Sequence, residues 1–456
     1  MNLPALGALL ACFLAGHGLL RMLGFRATTG PERLGYAFAA GTAVLAAAAA
    51  ALSPFAAANA WSLGGVLLLF AALPLLSHRP QATELRAEWP SFLPALALVL
   101  LSFWLAAQRP VWNVDAQMRW VLHGQWLADF GSLVPAHVAD PSWASHHPGY
   151  PPLVPALVGF AVQLGADPDT GVRVLFPAFL LALLGILHGL GVRALGPLRG
   201  WLLPLAFGFT PAVLWQPFRG LAFGLGADAA VADIPLAAML TAFSVLLLDA
   251  FRRGERAQVG AMAVFVAGAA WTKQEGAAFL VAMILATASC SLVVARADAR
   301  RRALRALGLL LAAAVGAAAL WKAVAHAMPV APGEDYLSLE GLAGLFHGFD
   351  RLESILSRVG AEFLDLRTWG PLWLVALLAA LVLLRRRDGV GLLPALWLLL
   401  GVGVAVAGFL ASGWKEDHEL LMEVSLARLL LHHAPLAAVL VAELGRRTLA
   451  PPPTAS

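Results

Sequence analysis

Apolar runs close to twenty residues long recur from one end of this chain to the other, from residues 3–22 to residues 428–444. A helix rising about 1.5 Å per residue crosses ~30 Å of hydrocarbon in about twenty residues. Inside lipid, only helices and closed barrels satisfy every backbone N–H and C=O. A barrel strand is about ten residues of alternating character, a pattern these runs lack. The expected fold class is therefore all-α, a polytopic membrane bundle of about thirteen transmembrane helices. Composition agrees: 60% hydrophobic and 13% charged residues over 456 positions is more apolar surface than one soluble core can hide.

The runs fall near residues 3–22, 36–56, 60–77, 91–108, 171–192, 199–216, 231–250, 258–272, 275–295, 306–325, 370–384, 390–411 and 428–444. They divide the chain into N-terminal helices (1–90), a central module (91–295) with a large loop at 109–170, and C-terminal helices (296–450). The ending 451–456, Pro-Pro-Pro-Thr-Ala-Ser, reads as a disordered tail. The first run has no basic residue before it and no small-residue cleavage pattern after it, so a retained helix is expected. Cys12 and Cys290 both sit inside apolar runs, which leaves no disulfide framework and no cysteine metal array.

Arginine placement orients the chain. Short loops with Arg21, Arg26 and Arg33, with Arg79 and Arg86, with Arg193 and Arg199, with Arg252, Arg253 and Arg256, with the 296–305 cluster, with Arg385, Arg386 and Arg387, and with Arg446 and Arg447 all fall on one side. The positive-inside rule makes that side cytoplasmic, with the N-terminus outside and the C-terminus inside. Most acids, and all three lysines (Lys273, Lys322 and Lys415), fall on the other side. A pI of 9.5 is explained by the inner arginines, so no nucleic-acid partner is implied.

This topology requires that 151–165 not span. It opens with Tyr150-Pro151-Pro152 and is short, which suits a helix in the interface or only partly inserted. A second outer segment, about 338–366, has apolar residues at spacings of three and four with Arg351, Glu353, Arg358 and Glu362 between them. An amphipathic helix on the membrane is expected there.

Four motifs lie on the outer side in order: Asp115 in Val114-Asp115-Ala116, then His147-Pro148-Gly149-Tyr150-Pro151-Pro152, then Asp233 in Ala232-Asp233-Ile234-Pro235, then Thr272-Lys273-Gln274-Glu275-Gly276. Together, over roughly residues 91–295, they resemble the GT-C superfamily of membrane glycosyltransferases. The likeness is to the branch containing the aminoarabinose transferase and the protein O-mannosyltransferases. The resemblance implies a sugar moved from a polyprenyl-phosphate donor to a glycan, lipid or protein acceptor at the periplasmic face of a bacterial inner membrane. Two features depart from the family: about three helices precede the loop-bearing one, and the second acidic position is doubled as Asp228 and Asp233.

Such chemistry needs a polar site at headgroup level, cations for the phosphate and a carboxylate for the acceptor hydroxyl. Asp115 is the candidate base, and its residues alone equally allow a solvated loop aspartate or a helix N-cap. Asp233 or Asp228 can orient the acceptor, share a Mg or Mn ion with Asp115, or cap the following helix. The metal requirement is otherwise unknown. Lys273 can bind phosphate with Glu275 holding it, or the two can form a structural ion pair.

His146, His147 and Tyr150 are candidate substrate contacts, and Arg119, Arg219 and Lys415 are further phosphate candidates. Trp112, Trp120, Trp126 and Trp143 fit sugar stacking and an interfacial belt equally. The pair His432-His433, near a helix start, reads as structural. A secondary transporter or lipid flippase is the alternative, although no internal repeat is evident. A non-catalytic envelope scaffold is a weaker third reading.

Overall fold

The computed structural model describes residues 2–76, 88–214, 226–227, 229–253, 258–294, 297–328, 349–411 and 418–449. These residues form helices joined by short loops, with no β-strand among them. The N-terminal helices are α1 (Leu3–Met22), α2 (Gly30–Leu52), α3 (Ala60–Leu76) and α4 (Trp89–Ala107). The loop after α4 carries two shorter helices, α5 (Leu122–Phe130) and α6 (Leu153–Gln163), before α7 (Pro177–Leu195). Next come α8 (Leu202–Gly208), α9 (Pro211–Leu214), α10 (Asp233–Arg253), α11 (Val259–Ala270), α12 (Gln274–Val294) and α13 (Ala297–Ala327). The chain closes with α14 (Leu352–Phe363), α15 (Leu366–Trp369), α16 (Leu372–Arg385), α17 (Leu393–Ala411) and α18 (His418–Leu449).

Among the described residues, nine helices are long and apolar enough to cross a membrane: α1, α2, α4, α7, α10, α12, α13, α17 and α18. This is a multi-pass membrane protein. Helices α3, α11 and α16 are apolar but shorter.

The run at 199–216 is not one spanning helix. It breaks at Phe209–Thr210 into the 7-residue α8 and the 4-residue α9. Pro211 has no N–H to continue the ladder and disfavours helical geometry at Thr210, while Phe209 and Thr210 close α8 onto Leu205 and Phe207. Helix α6 has 11 residues, too few to cross. Residues 151–161 are all buried, with α6 packed against α1, α2 and α5.

Local chemistry sets the helix starts. Thr29 Oγ1 accepts from Glu32 N at 3.2 Å, Glu32 Oε2 accepts from Thr28 N at 2.7 Å, and Pro31 occupies the first turn. Helices α1 and α2 then touch backbone to backbone: a Cβ on Gly41 would stand 1.7 Å from the Cys12 carbonyl oxygen. Small residues there bring the helices together where apolar side chains alone would gain nothing over lipid. Helix α7 is buried almost throughout, between α2, α4, α10 and α18. Cys12 and Cys290 are free thiols.

Helix α14 buries Ile355, Val359 and Glu362 along one strip while Leu356 stays exposed, so this part of the expected 338–366 helix is amphipathic with its strip against α17 and α18. Residues 338–348 and the 451–456 tail lie outside the described residues.

The helices are tied by charge at one end of the bundle. Arg193 of α7 reaches Glu32 of α2 at 2.6 Å and Asp249 of α10 at 3.3 Å, and Arg252 of α10 pairs with Glu443 of α18. The opposite end of α10 begins at Asp233, and the candidate site forms there.

Candidate functional site

The loop after α4 is held rigidly. Arg173, fully buried, donates to the Pro110 carbonyl at 3.0 Å, and Val111 N donates to Asp169 O at 2.8 Å. Gln117 Nε2 donates back to Val111 O at 2.6 Å. Asn113 Oδ1 accepts from Ala116 N, so Asn113 does the capping that the sequence leaves open to Asp115, whose side chain makes no capping bond. One π-helical turn, Ala116–Val121, follows; such turns often mark functional sites.

Asp115 is thereby free to face the bundle, where charges from four separate segments meet. Arg428, on α18, donates from Nε to Asp233 Oδ2 at 2.8 Å and from Nη1 to Asp115 Oδ2. Arg119 Nη1 lies 3.0 Å from Asp115 Oδ1. Lys273 Nζ donates to Asp233 Oδ1 at 3.0 Å and stands 3.9 Å from Glu275 Oε1. His432 Nε2 is 2.8 Å from the same Asp233 oxygen.

The network grades outward. Asp233 and His432 are sealed, whereas the Arg119 and Glu275 side chains are 26% and 35% exposed. Three cations, Arg119, Lys273 and Arg428, balance three acids, Asp115, Asp233 and Glu275, so the buried charge is compensated pair by pair.

Lys273 owes its place to the corner between α11 and α12. Thr272 Oγ1 donates to Gly268 O at 2.7 Å, Gly276 N donates to Lys273 O at 3.0 Å, and a Cβ on Gly276 would lie 2.1 Å from the Ala269 carbonyl oxygen. Only glycine allows this close a return.

A stack of rings borders the network. His147 lies on Tyr150 (centroids 5.1 Å, 16°), Tyr150 lies on buried Trp120 (5.5 Å, 6°), and the Arg119 guanidinium sits 5.4 Å from the Tyr150 centroid. Cation and rings are mutually favourable in this geometry. Trp321 Nε1 donates to Gly149 O at 2.8 Å and Leu153 N to Trp271 O at 2.8 Å, which pins the His-Pro-Gly-Tyr loop to α13 and the end of α11.

The electrostatics of the loop follow from this packing. Burial would raise the Asp115 carboxyl, but the Arg428 and Arg119 guanidiniums, with Lys273, overcome it and hold the group below its ordinary value. Burial pushes the Tyr150 hydroxyl up, so it stays protonated. Burial also lowers His123 to about 3, and its Nε2 is 2.9 Å from the His146 carbonyl oxygen, which fixes it as the donor of a neutral ring.

Of the residues singled out in sequence, Asp115, Arg119, Asp233, Lys273 and Glu275 come together, with Tyr150 and His147 stacked alongside. His146 contributes its carbonyl to His123, and its ring faces Trp143 at 5.0 Å, in a separate aromatic group with Trp126 and His137. Asp228, Arg219 and Lys415 lie outside the described residues.

Two contributors escape the sequence reading. His432 does not sit near a helix start: it is deep in α18, on Asp233. Its neighbour His433 packs edge-on to Phe279 at 4.2 Å and against Gly401. Arg428 is the other, and its signal was present as a lone arginine in the apolar string Leu426-Ala427-Arg428-Leu429-Leu430, one turn before His432.

Among the described residues, no three His, Cys, Asp or Glu side chains form a metal-holding group. Asp115 and Asp233 are bridged by a guanidinium, so a divalent ion shared between them would compete with Arg428 for the same oxygens. Compared with family models, curated proteins and solved structures, the chain matches none.

Proposed function

We propose that the protein is a membrane glycosyltransferase of the GT-C kind, moving a sugar from a polyprenyl-phosphate donor to an acceptor at the outer face of a bacterial inner membrane. In this reading about thirteen segments cross, the one at 199–216 as a broken helix packed among its neighbours, the N-terminus is outside and the C-terminus is cytoplasmic. The observation that carries it is the junction of Asp115, Arg119, Asp233, Lys273 and Arg428 at one end of the bundle, beside apolar helices. A lipid-linked phosphate brings its charge to that depth, and clustered guanidinium and ammonium groups are the chemistry that receives it.

In the transfer, the acceptor hydroxyl gives its proton to Asp115 while its oxygen bonds to the anomeric carbon. The carbon–oxygen bond to phosphate breaks, and its electron pair leaves on the phosphate, beside Arg119 and Lys273. Asp233, held on two sides by cations, orients Arg428 and Lys273 and takes no proton.

The test is sugar transfer by the purified protein in lipid nanodiscs, across a panel of polyprenyl-phosphate sugars. Asp115→Asn should fold and lose transfer. Full activity in that variant removes Asp115 from the base role, and transport in liposomes without any transfer product replaces the reading with a carrier.

A further inference from the structure

A base must be able to take a proton, yet both oxygens of Asp115 are already engaged, Oδ1 by Arg119 and Oδ2 by Arg428. A carboxylate held by two guanidiniums is a weak acceptor. The resting arrangement therefore cannot be the reacting one.

The partners of Asp115 and Asp233 are unequal in number. Asp233 has Arg428, Lys273 and His432; without Arg428 it would keep the other two. Asp115 would keep only Arg119, whose side chain is the most exposed of the three cations. Charge counting leads the same way. The site balances three cations, Arg119, Lys273 and Arg428, against three acids, Asp115, Asp233 and Glu275, so one added anion leaves it a cation short.

Resting on the glycosyltransferase reading, we propose that Arg428 keeps Asp115 locked until a lipid phosphodiester arrives beside Arg119 and Lys273, draws the guanidinium away and so frees Asp115 as the base. Arg428 is in this sense a positioning residue that couples donor binding to base release. The groups facing Asp115 are Arg119 on its own segment, Arg428 on α18, Lys273 at the α11–α12 corner and Tyr150 on the ring stack; behind them stand Asp233 of α10 on Arg428 and Lys273, Glu275 of α12 on Lys273, and His432 of α18 on Asp233. A released, still buried carboxyl binds protons more readily than the paired one.

The experiment is isothermal titration calorimetry of the full chain in nanodiscs with a short-chain isoprenyl methyl phosphodiester, whose single charge is fixed. It is run at about pH 5, close above the ordinary aspartate range, in two buffers of different ionisation enthalpy. Binding should take up as much as about one proton per probe. The uptake should vanish in Asp115→Asn, which still binds, and persist in Asp233→Asn. Arg428→Lys should bind about tenfold more weakly with reduced uptake, because an ammonium cannot fork between two carboxylates.

Should the aspartate variants fail to fold, infrared difference spectra of the unaltered protein serve instead, and a protonated-carboxyl band should appear when the probe binds. Binding without proton uptake or band overturns the release while leaving the phosphate site standing. Uptake that survives in a folded Asp115→Asn also overturns it, and absence of binding overturns both the release and the reading beneath it.

Discussion

Arg428 and Asp233 meet at 2.8 Å across 195 positions of sequence, and the same guanidinium reaches Asp115. One planar group thus fastens α18 to α10 and to the loop that follows α4. All three partners are buried, so the pairing governs stability as well as chemistry.

Arg428→Ala should destabilise the protein by about 3–5 kcal/mol, because it leaves two buried carboxylates without their shared cation. Adding Asp115→Asn and Asp233→Asn to Arg428→Met should recover part of that loss, since neutral groups then replace the guanidinium and both carboxylates it bridges. Transfer should stay abolished in both. Thermal unfolding in detergent alongside the transfer assay separates the two effects, and equal instability of the triple variant would contradict the account.

Gly276→Ala should cost about 1–3 kcal/mol, through overpacking at a corner where the new methyl would press on the Ala269 carbonyl. Lys273 is displaced with the corner, so the apparent KM for donor should rise. Unchanged unfolding temperature and KM would show that the corner yields freely.

Acid should weaken the protein through His123. The unfolded chain gains this proton below the ordinary 6.5, whereas the buried ring holds off until about 3. Stability therefore falls as pH descends from 6.5 towards 3 and levels out beneath. His123→Gln, which keeps a donor for the His146 carbonyl, should flatten that slope when unfolding is followed across the range. An unaltered slope would assign the acid sensitivity to other groups.

Tyr150→Phe should retain near-normal transfer, because the stack with Trp120 and His147 and the seat under Arg119 need only a ring. Tyr150→Leu should lower kcat/KM by about tenfold, matching the loss of one stacking and one cation–π contact. Equal rates in both variants would remove the stack from the positioning of Arg119.

The helical architecture was legible because lipid-spanning length and apolar character are properties of contiguous sequence. The break at Pro211 was also written there, but a window of apolar residues masks it when averaged. Asp115, Asp233 and Lys273 stood out because each lies where an apolar run meets a loop. Arg428 did not, because trimming α18 to its apolar part places this residue at an edge, although ten residues of helix precede it. The bond between Arg428 and the two aspartates depends on how α18 crosses α10, and no local pattern encodes a crossing. The interior burial of α6 escaped for a related reason: a short apolar helix reads the same whether it meets lipid or protein.

Helix α10 is joined to α18 at both of its ends, by Asp233 with Arg428 at one and by Arg252 with Glu443 at the other. A motion that opened the seam between these two rods would have to strip a buried ion pair at either end of α10. Fastened twice, the pair behaves as a girder.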